Sequence, residues 1–424
     1  MRSFLLSLLA LLLLLTPGSS LTSPADRPDG GPNAATWLNI DQLLAKDQTA
    51  SVARLLEPLY QQARRRPQAA PEYVRTLLYK LRLLENKEEE ADVKGIELLE
   101  TDLQTAQFPA RPVLHSLLAQ LYARYYQQHR YQLYNRTNAA APDPADASRA
   151  DLRTWDAARL AAAVVRHYQA SVADEPRRQQ QLPLAGLGYL SRGADAAGRA
   201  RRPMLFDLLA FRAVEGLGND ELYLTRPAQQ FRLTSPALFG PAAEFAALRL
   251  EAPAADSLNG QFYALRVLQQ LLAYRLQNAT THPEALADAD LQRLQFVQRH
   301  ATLENQAELY RAALRRAAEA YRASPLAAEF GAAEAVSWRP DEPARAHALA
   351  LAVEKEYPES RGAAQAAALR RQLEEVEVAF TTEQVLLPGR PWLLQLTVRN
   401  APRLYATAYR LSSARQRLQL ENPG

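Results

Sequence analysis

The residues best suited to proton or metal chemistry are six histidines, His115, His129, His167, His282, His300 and His347, scattered singly along the chain. None belongs to a His-Glu-x-x-His pattern or to a pair four residues apart, the spacings that turn ligands towards one ion on a helix face. Each therefore reads as a structural or surface histidine. Gly186-Leu-Gly188-Tyr-Leu-Ser191 imitates a dinucleotide-binding turn, but serine stands in place of the third glycine and no strand precedes it, so the segment reads as a loop. There is no Gly-x-Ser-x-Gly elbow and no phosphate-binding Gly-Lys-Ser/Thr. The acidic run Glu88 to Glu90 stands at an expected helix start, where carboxylates favour the positive end of the dipole and face water. Arg124 to Arg136 interleaves arginine with tyrosine, as a single-strand stacking platform would. Tyr122, Tyr125, His129 and Leu133 share one helical face, however, which reads as packing with arginines laid over tyrosine rings. Asn135-Arg-Thr137 and Asn278-Ala-Thr280 fit the glycosylation sequon. No catalytic, cofactor-binding or metal-binding residue emerges, and neither enzymatic activity nor a cofactor is expected.

Composition narrows the classes further. With no cysteine there is no disulfide framework, thiolate metal site or cysteine nucleophile. Lysine plus arginine number 50 against 46 acidic residues, and a net charge of +4 on 424 residues gives no electrostatic reason to bind nucleic acid. An apolar fraction of 48% with 23% charged residues is that of a globular chain with a packed core, long enough for two to four domains.

The elements that must position any site begin after a leader. Arg2, the apolar run Phe4 to Leu15, and Pro17 to Ser20 have the layout of a cleaved signal peptide over residues 1–20. The run is shorter than the ~20 residues a helix needs to cross a bilayer. An exported chain, periplasmic or envelope-associated, with no membrane span after cleavage, is therefore expected. Residues 21–34 read as a disordered leader. From Ala35 to Glu375 helical spacing recurs: Val52, Leu55, Leu56, Leu59, Tyr60 and Ala63 share a face, as do Leu114, Leu117, Leu118, Leu121, Tyr122 and Tyr125. Short proline-bounded connections predict a mainly α, antiparallel α-hairpin array, repeat-like but without a true repeat signature. Less regular stretches at 182–202 and 217–260 flank a predicted helix at 203–215, with a possible subdivision near 217–260.

Near Val376 the period changes from 3.6 to 2. Val376, Val378 and Phe380, then Trp392 to Val398, then Leu404 to Leu411 read as antiparallel strands, with a turn at Leu387 to Arg390. About three strands over 376–424 make an incomplete sandwich, because their apolar face needs a second sheet.

Several stretches in order resemble one family. Leu117 to Thr137, Asp151-Leu-Arg-Thr-Trp155-Asp156, Arg202 to Ala213, and Glu383-Gln-Val-Leu-Leu-Pro388-Gly-Arg-Pro-Trp392 leading to Val398-Arg-Asn400 and Leu404-Tyr405 are similar to the helical front end of alpha-2-macroglobulin family proteins of Bacteroidetes. The resemblance implies that the last segment opens a macroglobulin-type β-sandwich. It also implies protease inhibition by entrapment at the bacterial envelope, with proteases or envelope proteins as partners. The family's bait segment and Cys–Gln thioester have no counterpart in this chain, so no trapping residue carries over. Residue by residue, the competing expectation is a periplasmic helical-repeat scaffold that binds another protein in its groove.

Overall fold

A computed structural model describes residues 33–134, 151–190, 196–222, 227–382, 391 and 393–405. The signal segment, the leader as far as residue 32, the first sequon, the loop at 138–148, Ser191, the turn at 387–390, Trp392 and the strand run beyond Tyr405 lie outside the described residues. The protein is mainly helical, with one small two-stranded antiparallel sheet among the described residues. It divides into two compact units that part between Ala327 and Ala328.

The first unit opens with α1 (Ala34–Ala45), α2 (Thr49–Arg64), α3 (Ala70–Lys87), α4 (Ala91–Leu103), α5 (Ala110–Tyr134) and α6 (Ala157–Ala173). Each packs against the next along the sequence, as short links between amphipathic helices require. The apolar stripes are the buried faces: Val52, Leu56, Leu59, Tyr60 and Ala63 on α2, and Leu114, Leu117, Leu118, Leu121, Tyr122 and Tyr125 on α5 are all buried. Some helix starts are capped by short polar side chains. Asp156 accepts from the Arg159 amide at 2.8 Å to open α6, satisfying a donor that the first turn leaves free.

The two less regular stretches are real, and short helices break them up. A 3-10 segment covers Leu184–Leu190, so the glycine-containing segment coils back rather than forming an open loop. It lies between α7 (Pro176–Gln181) and α8 (Ala196–Arg201), and α9 (Leu205–Leu217) and α10 (Ala242–Ala247) come later in the chain. The unit ends with α11 (Gly260–Gln277), α12 (Pro283–His300) and α13 (Gln306–Ala320). α9 touches α5, α6 and α11, which demands a close approach at one point. A Cβ placed on Gly216 would lie 2.2 Å from the Tyr168 ring.

Buried polar side chains pin the irregular backbone. Gln269 on α11 donates to the carbonyls of Phe245 and Leu248 at 3.0 and 2.7 Å. Arg293 on α12 donates to Leu238 and Gly240, both at 2.8 Å. A loop carbonyl buried without a partner would destabilise the fold by about 1–3 kcal/mol, so these side chains replace the ladder that a regular element would supply. Between α9 and α11, Asp207 and Arg275 form a fully buried ion pair, with Nε donating at 2.8 Å. Asp207 also accepts from the Met204 amide at 2.9 Å and so caps α9. A fourth staple joins α2 to α4: the buried Asp102 accepts from Tyr60 Oη at 2.8 and 2.9 Å and lies 3.2 Å from Arg64 Nε.

The second unit contains α14 (Ala327–Trp338, whose first residue precedes the parting), α15 (Pro343–Glu356), α16 (Arg361–Glu374), β1 (Glu377–Thr382) and β2 (Leu394–Arg399). Its helical core is built largely from Ala328, Ala332, Ala335, Ala350, Val353, Ala366 and Leu369. Small side chains let backbones meet: a Cβ on Gly362 would lie 2.2 Å from the carbonyl carbon of Ala328.

The change of period at Val376 does mark a change to strand. β1 and β2 pair antiparallel, with Val378 opposite Val398, Phe380 opposite Leu396 and Thr382 opposite Leu394. Alternation puts Val378, Phe380, Leu394, Leu396 and Val398 on one face, while Glu377 and Arg399 pair at 3.2 Å on the other. Phe380 is 69% exposed and Val378 and Leu396 are each 48% exposed. Asn400, at φ 56°, ends β2 and donates its side-chain amide to the carbonyls of Leu373 and Glu375 at 2.6 and 3.0 Å, tying the ribbon to the end of α16. The described sheet has two strands where about three were expected; Leu404 and Tyr405, the start of the third run, are not in it.

Candidate functional site

The polar side chains of α4, α5 and α6 converge in the first unit. His115 on α5 and His167 on α6 are 52 residues apart in sequence, yet their Nδ1 atoms lie 2.9 Å apart. His167 is buried, and its Nε2 lies 3.3 Å from Glu100 Oε1 on α4, close enough for charge attraction though not aligned as a hydrogen bond. Tyr122, about two turns along the same face of α5 from His115, donates to the same Glu100 oxygen at 3.0 Å. The rings then stack in a row, with Tyr122 5.6 Å from His167 and 5.5 Å from Trp155, and Arg159 lying 3.9 Å over Trp155. Cations over an indole face are favourable, so the row ends in a charge rather than in water.

The electrostatics follow from burial. Desolvation, and then the neighbouring His167, push the His115 imidazole down to about 4. Burial acts to raise the Glu100 carboxyl, but His167, Tyr122 and Arg166 outweigh it and hold the group below its ordinary value. Burial, followed by Glu100, pushes the Tyr122 phenol up. The arrangement thus groups a carboxyl, a phenol and two imidazoles whose facing nitrogens are within hydrogen-bond distance.

Beside it, α3, α4 and α5 border an open cleft of about 530 Å³, lined in part by Glu85, Glu90, Asp92, Arg124, His129 and Arg153. Here the acidic run and the arginine–tyrosine stretch meet. Arg124 pairs with both Glu85 and Asp92, Arg153 with Glu90 and Asp151, and Lys94 with Glu88. The Arg153 guanidinium holds the exposed Glu90 carboxyl below its ordinary range. Tyr125 is buried beneath a stacked His129, ring centroids 4.1 Å apart. The cleft is thus a salt-bridged seam over a packed aromatic floor. The arginine–tyrosine stretch serves mainly as helix packing, and Arg130 lies over Tyr131, 5.0 Å from the ring, in the expected arginine-on-tyrosine form.

The other histidines stay apart. His282 precedes α12, the buried His300 lies 3.5 Å from Asp220, and His347 in the second unit bonds Glu374 at 2.7 Å. Among the described residues no three His, Asp or Glu side chains are grouped to hold a metal ion, and no helix is long and apolar enough to cross a membrane. No family model, curated protein or solved structure matches the chain. Sequence spacing missed the His115–His167 pair, because its members lie on different helices and no local period links them.

Proposed function

We propose that the chain is a non-catalytic interaction scaffold, exported from the cell, and the amino-terminal helical part of an alpha-2-macroglobulin-like protein that entraps proteases at the envelope. The β1–β2 ribbon carries this reading. Its five apolar side chains lie on one face and its charged pair on the other, the pattern of a strand pair made to be covered on one side. Burying one such large side chain contributes about 1.5–3 kcal/mol, so a facing second sheet would gain several times that. The resemblance of the Glu383 to Trp392 and Val398 to Asn400 stretches to the opening of a macroglobulin-type sandwich supports the same assignment. Bait cleavage and thioester chemistry belong to the larger context and to no residue of this chain.

Two measurements test this. An antibody raised against the helical region should detect, in envelope fractions, a processed polypeptide much longer than 424 residues. That native protein should shift in gel filtration after exposure to a protease, while the isolated chain should not. A native protein of this length that binds a partner through its helices would replace this reading with the helical-repeat scaffold.

A further inference from the structure

The His115–His167 contact has a consequence that holds whatever covers the ribbon. Two imidazole nitrogens 2.9 Å apart can share one proton. A neutral pair does so, and so does a pair with one imidazolium. A pair of imidazolium rings cannot, because two N–H bonds would point at each other and two positive charges would meet in a site poor in water. We propose that His115 and His167 form an acid-responsive latch between Ala110–Tyr134 and Ala157–Ala173, closed while their facing nitrogens share one proton and opened when a second arrives.

The groups around the pair fix the direction of the response. From α4, Glu100 lies 3.3 Å from the far nitrogen of His167. From α5, Arg111 is tied to Asp174 at the end of α6, Nε to Oδ1 at 3.1 Å, so the cation nearest His115 is largely neutralised. Arg166 on α6 acts on Glu100. From α9, Arg212 donates to Ser116 and Gln120 at 2.8 and 2.7 Å, beside His115, with Glu215 near it. His115 is the ring that resists an added charge, since burial and then His167 hold its imidazole down to about 4 against an ordinary 6.5. The unfolded or opened form protonates His115 first, so the latch is at full strength above about 6.5 and weakens as pH falls towards about 4.

Hydrogen exchange on the full chain tests the latch, with amide protection in α5 and α6 compared between near-neutral and acidic buffer after correction for the intrinsic rate. The wild type should lose about tenfold more protection in these two helices than H115Q, which keeps a hydrogen-bonding side chain but cannot take the charge. Equal losses in both proteins would overturn the proposal. Imidazole nitrogen NMR of the wild type gives a second reading that does not depend on the variant folding. It should show His115 still neutral at pH values where an ordinary histidine is charged, and a titration of His115 near 6.5 would overturn the latch.

Discussion

The two compact units reach a packed helical core by opposite means. The first fills its interior with large side chains and closes the remaining polar gaps with buried charge: Arg275 with Asp207, Arg293 with Asp290 and two loop carbonyls, Asp102 with Tyr60. The second has alanine at most core positions and brings backbones together instead, as Gly362 against Ala328 shows. An alanine core removes little apolar area from water per residue, so its tolerance depends on how closely helices approach. A core held by buried ions depends on every charge keeping its partner. The same contrast extends to the surface, since the second unit leaves the apolar face of its ribbon open, whereas the aromatic row of the first ends in Arg159.

Breaking the ion pair should have the largest effect. Arg275→Met leaves the Asp207 carboxylate buried without its guanidinium, and about 3–5 kcal/mol of stability should be lost in urea unfolding. Adding Asp207→Leu should recover a large part of it; if the double variant is no better than the single, the pair is not acting as a charge-compensated unit. In the second unit, Gly362→Ala should cost about 1–3 kcal/mol, because the new methyl meets the Ala328 backbone, which cannot swing aside as a side chain would. Exchange rates in α14 and α16 report this directly, and unchanged rates would remove the close approach from the comparison.

Smaller effects sharpen the contrast at the surface. Phe380→Ser should alter stability by no more than about 0.5 kcal/mol, since its ring is already exposed. It should also reduce self-association of the isolated chain in sedimentation, because an open apolar strand face invites pairing. The smallest effect is expected at Glu374. Its carboxyl is held below the ordinary range first by His347 and then by Arg370, so its contribution is present above about 4.5 and lost as pH falls below it. Because the group is fully exposed, Glu374→Gln should change the acid side of the melting profile only at low ionic strength, and the difference should vanish near 1 M salt.

Periodicity carried the helices. The stripes on α2 and α5 are the faces that became buried, and the change of period at Val376 falls within a residue of the start of β1. Such features are legible because they are local: a helix face or a strand alternation is written in consecutive residues. The irregular stretches were visible as breaks in period, but what holds them was not. Gln269 and Arg293 look like ordinary polar positions on helices until the carbonyls of Phe245, Leu248, Leu238 and Gly240 are brought to them.

The sequence by itself determined that the chain is mainly helical, where its first strand begins, and that it has no cysteine to cross-link or react. Only the tertiary structure decided that His115 meets His167, that Arg275 finds Asp207, and that the acidic run is answered by Arg153 and Lys94. Each of these lies between groups on different elements, or across a loop. Their pairing depends on how helices pack in three dimensions, and a charge or a ring has no period along the chain that would announce its partner.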